Sequence, residues 1–188
     1  MHTVLQRLHR DHEHIDRVLN LLEHQMDAFH EGRPIDFELI SNVLHYMADY
    51  ADQVHHRLED QLFEPLKDRP DAIGATVRQV MGQHPHLIVR TRQFEKTAEG
   101  VIHDAVVTRE EFEQQARAFI GLQREHLRLE EDKLLPMLEG LLESAVLEAA
   151  ARILPTVEDP LFGSHRREQF LYLYQRLREL EANTRPAA

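Results

Sequence analysis

The chain has 188 residues, 42% of them apolar and 29% charged, with 33 acidic against 22 basic side chains and a net charge of −11. That length suits one domain with a buried core, and the negative charge argues against nucleic acid and anionic membrane as main partners. The absence of cysteine excludes disulfides, thiolate zinc sites, iron–sulfur clusters and cysteine nucleophiles.

The N-terminal MHTVLQRLHRDH has no apolar signal core, and no stretch approaches the ~20 apolar residues of a membrane span, so a cytoplasmic protein is expected. The spacing predicts a first helix over about residues 3–30, with Leu5, Leu8, Ile15, Leu19 and Leu22 on one stripe and His12 within it. Gly32-Arg33-Pro34 ends it, and Asp36 is suited to cap a second helix. The inner face of that helix carries Leu44, Ala48, Ala51, Leu58, Leu62 and Leu66 together with His55 and Glu59, and it closes at Pro65 and KDRPD. A third helix is expected from near Asp71 to about Glu99, with His84 on the side of Val77, Val80, Leu87 and Phe94, and a kink at Pro85. Gly100 and HDAVV form the crossing, and Thr108-Arg109-Glu110-Glu111 reads as a capping box for a fourth helix. That helix turns Phe112, Phe119, Leu122, Leu129 and Met137 inward with His126 and Glu130.

Beyond Gly140, Leu141 to Leu154 reads as a further helix, PTVEDPLFG as a loop, and Ser164 as the cap of a last helix with Phe170, Leu173, Tyr174, Leu177 and Leu180 on its stripe. No strand signal stands out. The fold class is therefore all-α: an up-and-down four-helix bundle over 1–140 and a helical C-terminal extension over 141–188, packed on the bundle or on a partner.

The bundle is internally repeated. HHRLEDQLFEP (55–65) and HLRLEEDKLLP (126–136) share His, Arg, Leu, Glu and Pro, with an acid after the Glu in each; upstream, His12 corresponds to His84 and Glu23 to Glu95. Each half is a helical hairpin with one lone His on its first helix and H-x-x-x-E on its second. At i and i+4 the imidazole and carboxylate lie on one helix face. Spacing alone is weak support, because His9/Glu13 has it too, but that pair sits off the leucine stripe. The other two pairs sit on the stripes, where an unpartnered carboxylate costs several kcal/mol or gives up its charge. Fourteen histidines are the compositional oddity, and neutral imidazole is the commonest transition-metal side-chain ligand. A Glu–His hydrogen-bond network is one solution for two buried Glu and four buried His; a pair of metal ions that neutralises the carboxylates is the better one.

The order His12, H55-x-x-x-E59, His84, H126-x-x-x-E130 resembles the ligand order of hemerythrin-like, or HHE cation-binding, domains of the bacterial non-carrier type. The likeness extends to D11-H12-x-x-I15 and to the acidic-Leu-Phe-x-Pro end of the second helix, and covers residues 3 to about 140. It implies a non-haem di-iron centre with Glu59 and Glu130 bridging and His12, His55, His84 and His126 as terminal ligands; zinc or another divalent metal is the substitute. Two departures separate the chain from oxygen carriers. Their third helix offers two His a turn apart, where here Val80 and Ile88 flank His84; their fourth uses an Asp at five residues, where here Glu130 stands at four. Two octahedral irons with these ligands and one oxygen bridge keep about two positions open.

The repeat suggests a symmetric centre with two His per metal. His56, ~100° round from His55, is the candidate for an extra ligand if the helix distorts, and otherwise an outer partner or a surface residue. His14 and His86 are expected in solvent, His45 beside Asp49, and Lys133 on the inner stripe, snorkelling at the bundle mouth. The expected function is binding, and reduction or disproportionation, of peroxide, oxygen or nitric oxide in redox defence. The alternatives are an iron or oxygen sensor or an iron-binding module without turnover, and a structural bundle holding zinc or nothing. The protein partners expected are a second copy, in a homodimer, and for the sensor a partner to which the C-terminal helix reports.

Overall fold

The computed structural model describes residues 3–141 and 157–184. The helix read over Leu141 to Leu154 lies almost wholly outside the described residues.

Helix α1, Thr3–His30, ends where Gly32 takes φ +79°, a left-handed conformation that costs glycine nothing. Helix α2 (37–66) starts at Asp36, whose side chain accepts from Leu39 N at 3.0 Å. It runs as α-helix over Phe37–Tyr46, π-helix over Met47–His55, α-helix over His56–Phe63 and a 3-10 turn over Glu64–Leu66. Helix α3, Ala72–Ile102, is capped by Asp71 and passes uninterrupted through Pro85. Gly100 stays inside it. The helix closes three residues later than the glycine suggests: Asp104 adopts φ 61°, Asp104 N donates to Val101 O and Ala105 N to Gly100 O, which together satisfy the last carbonyls.

Helix α4 (109–139) begins at Thr108, whose hydroxyl accepts from Glu111 N at 3.2 Å. Only that half of the capping box forms, since the Glu111 carboxylate instead accepts from Gln115. The helix is π-helical over Glu130–Leu134. That loosened turn shifts the register beyond Glu130: Leu134 and Leu135 are both buried and Lys133 is exposed, not on the inner face. Helix α5, Leu171–Thr184, follows a 3-10 turn at Glu168–Phe170. Ser164 does not cap it; its hydroxyl donates to Glu158 in the preceding loop.

Around the bundle, α1 packs on α2 and α4, and α3 packs on α2 and α4, so each helix neighbours the next. The interior has two apolar clusters. One gathers Ile15, Leu19, Leu22, Leu44, Met47, Phe94 and Phe119. The other gathers Leu5, Leu8, Leu58, Leu62, Val80, Leu134 and Leu138. Leu161, Phe170, Leu173 and Leu177, from beyond the bundle, complete the first cluster, so the described part of the C-terminal extension lies against α1 and α2. Between the clusters in each helix comes a polar residue: His12 between Leu8 and Ile15, His84 between Val80 and Leu87. No helix among the described residues is long and apolar enough to cross a membrane.

Candidate metal centre

The polar layer contains His12, His55, His56, Glu59, His84, His126 and Glu130, each no more than 3% exposed. All six residues singled out by the repeat meet there. His56 joins them as a full member, which the regular helical register does not allow. Adjacent residues of an α-helix diverge by ~100°, so His55 and His56 cannot both face one axis. The π-helical stretch Met47–His55 ends at this pair, and both rings are buried with centroids 5.6 Å apart. In the other half, the residue matching His56 is Leu127, so the expected two-fold symmetry fails at this point.

Two groups of potential ligands result, each with its atoms within 4.8 Å of one another: His56, Glu59, His84 and His126, and His12, His55, Glu59 and Glu130. Glu59 belongs to both. Its Oε1 is 3.2 Å from His12 Nε2 and 3.2 Å from His55 Nε2, while Oε2 is 3.6 Å from His84 Nε2. Glu130 spans them as well, with Oε2 3.3 Å from both His12 Nε2 and His126 Nε2.

The imidazoles are held from outside. His12 Nδ1 donates to Glu131 at 2.5 Å, His84 Nδ1 to Asp60 at 2.8 Å and His126 Nδ1 to Gln83 at 2.9 Å. His55 Nδ1 faces Asp11 at 3.5 Å and His56 Nδ1 faces Asp52 at 3.4 Å. Asp60 and Glu131 are the acids that follow Glu59 and Glu130 in the repeat. With Nδ1 carrying the proton, Nε2 presents its lone pair to the interior, the usual support of a metal-bound histidine; His12 Nε2 already meets Glu59 Oε1 at 3.2 Å. The interior atoms lack hydrogen bonds: Nε2 of His55, His84 and His126, Oε2 of Glu59 and both carboxylate oxygens of Glu130. Buried polar atoms left so cost roughly 1–3 kcal/mol each. Inward-facing ligand atoms without partners, three of their rings hydrogen-bonded from behind at Nδ1, fit a bound metal cation.

Electrostatics divide the imidazoles of the layer. Burial pushes His56 well below the usual histidine range, with the charge of His84 adding to it, and burial with His56 does the same to His126, which favours the neutral form that a metal ligand needs. Burial opposes charge on His12 and His84 too, but Glu130, Glu131 and Glu59 around His12, and Asp60 and Glu59 beside His84, outweigh it and hold both above that range. Burial also opposes charge on His55, but Glu59 and Asp11 outweigh it and hold its pKa up to about 9. Burial and the charge of Glu59 raise Glu130; Glu59 itself, although buried, is held low by His55 and His12.

Other histidines differ from expectation. His14 is not in solvent: its Nδ1 is 3.0 Å from Asp159 and its ring stacks on Phe162 at 4.0 Å. His45 faces Glu95 at 3.6 Å and not Asp49. His86 is exposed, as its position implies. Outside the cluster, a cleft of about 440 Å³ between α1 and α4 is lined by His9, His12, Leu127, Arg128 and Glu131.

The family model described as Hemerythrin HHE cation binding domain matches residues 3–138. No curated protein and no solved structure matches the chain.

Proposed function

Because the chain belongs to the hemerythrin HHE cation-binding family, we propose that its buried layer holds two irons, one by His56, His84 and His126 and the other by His12 and His55, with Glu59 and Glu130 shared. The proposal rests on one observation: Nε2 of His12, His55, His84 and His126 lies 3.2–3.6 Å from the carboxylates of Glu59 and Glu130, three of whose four oxygens have no hydrogen bond, with His56 packed beside them, while each Nδ1 of the five imidazoles faces an outer acid or amide. Bound there, an iron pair supplies one-electron redox steps and a Lewis-acidic position for a small oxidant such as peroxide, oxygen or nitric oxide.

The chain's own residues set where such a ligand enters. Three imidazoles crowd the α2–α3 side, where His56 stacks on His84 at 4.6 Å. The α1–α4 side has Leu127 in the place of a sixth His, with the cleft beside it reaching His12. Leu127 is the apolar residue among the charged and polar side chains that line that approach, and the flanking clusters keep water from the layer. Residues 157–184 act in this reading as a cover for one bundle face, and the net charge of −11 argues against nucleic acid as a main partner.

A sensor or iron-binding module without turnover is the second reading. It is favoured by Asp11, which faces His55 on one side and Asp159 of the C-terminal loop on the other, and so ties the layer to the extension. Metal analysis of protein purified without a chelating tag, followed by peroxide and nitric oxide consumption, decides between them. Two irons with sustained consumption supports an oxidant-handling enzyme; two irons with a single stoichiometric reaction supports the sensor; a chain that takes up no iron refutes both.

A further inference from the structure

Asp11 and His14 are three residues apart on α1 and so project from one face. A carboxylate and a histidine at i and i+3 are a recurring ligand pair in metal-binding bundles. Opposite them the loop before α5 delivers Asp159, 7% exposed, from 145 residues away in sequence. One potential ligand atom from each of Asp11, His14 and Asp159 lies within 4.8 Å of the others. His14 Nδ1 and Asp159 Oδ2 are 3.0 Å apart. That is a hydrogen-bond length, a few tenths of an ångström short of the roughly 3.4 Å between neighbouring ligands about 2.1 Å from one tetrahedral ion, so a small opening of the pair admits the ion.

The residues around this cluster prepare it. Leu161 N and Phe162 N donate to Asp159 Oδ1 at 2.8 and 3.0 Å, and the Tyr46 hydroxyl donates to Oδ2 at 3.0 Å, which fixes the carboxylate plane. Phe162 stacks on the His14 ring, and Arg17 covers the other face of Phe162 at 4.4 Å. The loop turns tightly at Gly163, where a Cβ would come within 2.5 Å of Asp159 O. Asp11 is 4% exposed and its Oδ2 makes no hydrogen bond; it lies 3.5 Å from His55 Nδ1 and 3.8 Å from Arg7 Nε. A cleft of about 410 Å³ opens from these residues to solvent, lined also by Arg7, Arg10, Tyr50 and Glu158. Three carboxylates against two guanidiniums leave the cleft negative.

From this placement we infer that Asp11, His14 and Asp159 form a mononuclear site for a divalent transition-metal ion of the zinc class, distinct from the paired cluster. The mixed imidazole–carboxylate set suits zinc, and the cleft leaves its remaining position to water. The ion fastens residues 157–163, and with them α5, to α1. The two sites share one residue, since Asp11 also stands behind His55 of the paired cluster; His14 and Asp159 belong to this site alone.

Zinc titration against a chromophoric chelator tests the inference on the full chain. The variant Glu59→Ala/Glu130→Ala, which lacks the shared carboxylates of the paired cluster but keeps its imidazoles, should still bind one zinc equivalent that depends on His14 and Asp159. Adding His14→Gln and Asp159→Asn should weaken that binding by ~100-fold or more. No binding by the first variant, or binding unchanged by the added substitutions, overturns the inference; the loop is then anchored by hydrogen bonds alone. If the Glu variant does not fold, the parent decides: three zinc ions per chain falling to two with His14→Gln/Asp159→Asn supports the site, and two in both overturns it. A parent that binds one zinc, sensitive to His14→Gln but not to Glu59→Ala, sustains this site while removing the paired one.

Discussion

Replacing Glu131 by Gln keeps a side chain of the same length beside His12 and removes only its charge. In the folded chain, Glu131 Oε1 is 2.5 Å from His12 Nδ1 and Oε2 is 2.7 Å from His9 Nδ1. The amide oxygen of Gln still accepts from Nδ1–H, so the loss is the charge assistance. Hydrogen bonds to charged groups contribute about 1.5–3 kcal/mol against about 0.5–1.5 for neutral ones, a difference of roughly 1–2 kcal/mol. The Glu131 side chain is 34% exposed, and water screens part of that, which places the effect near the lower end. With 1.4 kcal/mol to a factor of ten, about 1 kcal/mol is roughly fivefold in affinity, just under the 10- to 100-fold range for outer partners of metal ligands. Chelator-competition titration of ferrous iron under anaerobic conditions should therefore show one of two metals bound about fivefold more weakly in Glu131→Gln. Asp60→Asn, the matching change behind His84, should act on the other metal and less strongly, because Asp60 is 42% exposed. Unchanged affinities in both variants, or an equal loss in the surface control Glu113→Gln, would refute the idea that these acids hold the imidazoles for metal.

Further outcomes follow from the same contacts. Leu127→His places a sixth imidazole where the repeat lacks one and fills the approach to His12; iron content should persist while the rate of reaction with peroxide, read by stopped-flow absorbance, falls at least tenfold by order of magnitude, and an undiminished rate removes the α1–α4 cleft as the route. Stripping metal relieves no strain and leaves buried Glu59 and Glu130 without cations. At a metal concentration of ~100 times Kd the loss is about 2.7 kcal/mol per site, about 5 kcal/mol for the pair, so the melting temperature should drop by roughly 10–20 °C; equal melting curves with and without metal contradict this. Asp159→Ala removes the acceptor for Tyr46, His14, Leu161 N and Phe162 N and should destabilise the chain by roughly 2–4 kcal/mol in urea unfolding; a change under 1 kcal/mol would mean the loop is held by its apolar residues alone.

Much of this architecture is legible in the residue pattern, and the illegible parts share a cause. Helix boundaries follow from local chemistry that acts within four residues, so Asp36, Asp71 and Thr108 mark their helices correctly. The positions of His12, His55, His84 and His126 follow from the 3.6-residue period, which holds wherever the helix is regular. That same period misplaces Lys133 and leaves His56 at ~100° from the axis, because it carries no allowance for π-helical turns. Those turns do leave a trace: consecutive residues that both belong inside, His55–His56 and Leu134–Leu135. The repeat misleads here too, since Leu127 stands opposite His56 and suggests a symmetry the structure lacks. His14 was beyond reach for another reason. Its partner Asp159 lies 145 residues on, and no helical period connects a bundle face to a loop that folds back over it.

The most direct test of the paired centre is Mössbauer spectroscopy of the full chain loaded with iron-57. Three imidazoles converge on one side of Glu59 and two on the other. Two irons per chain should therefore give two resolved quadrupole doublets of equal area, and His56→Leu, which restores the repeat, should draw them together. A single doublet in the parent chain, or one iron where two are required, would contradict the five-histidine centre.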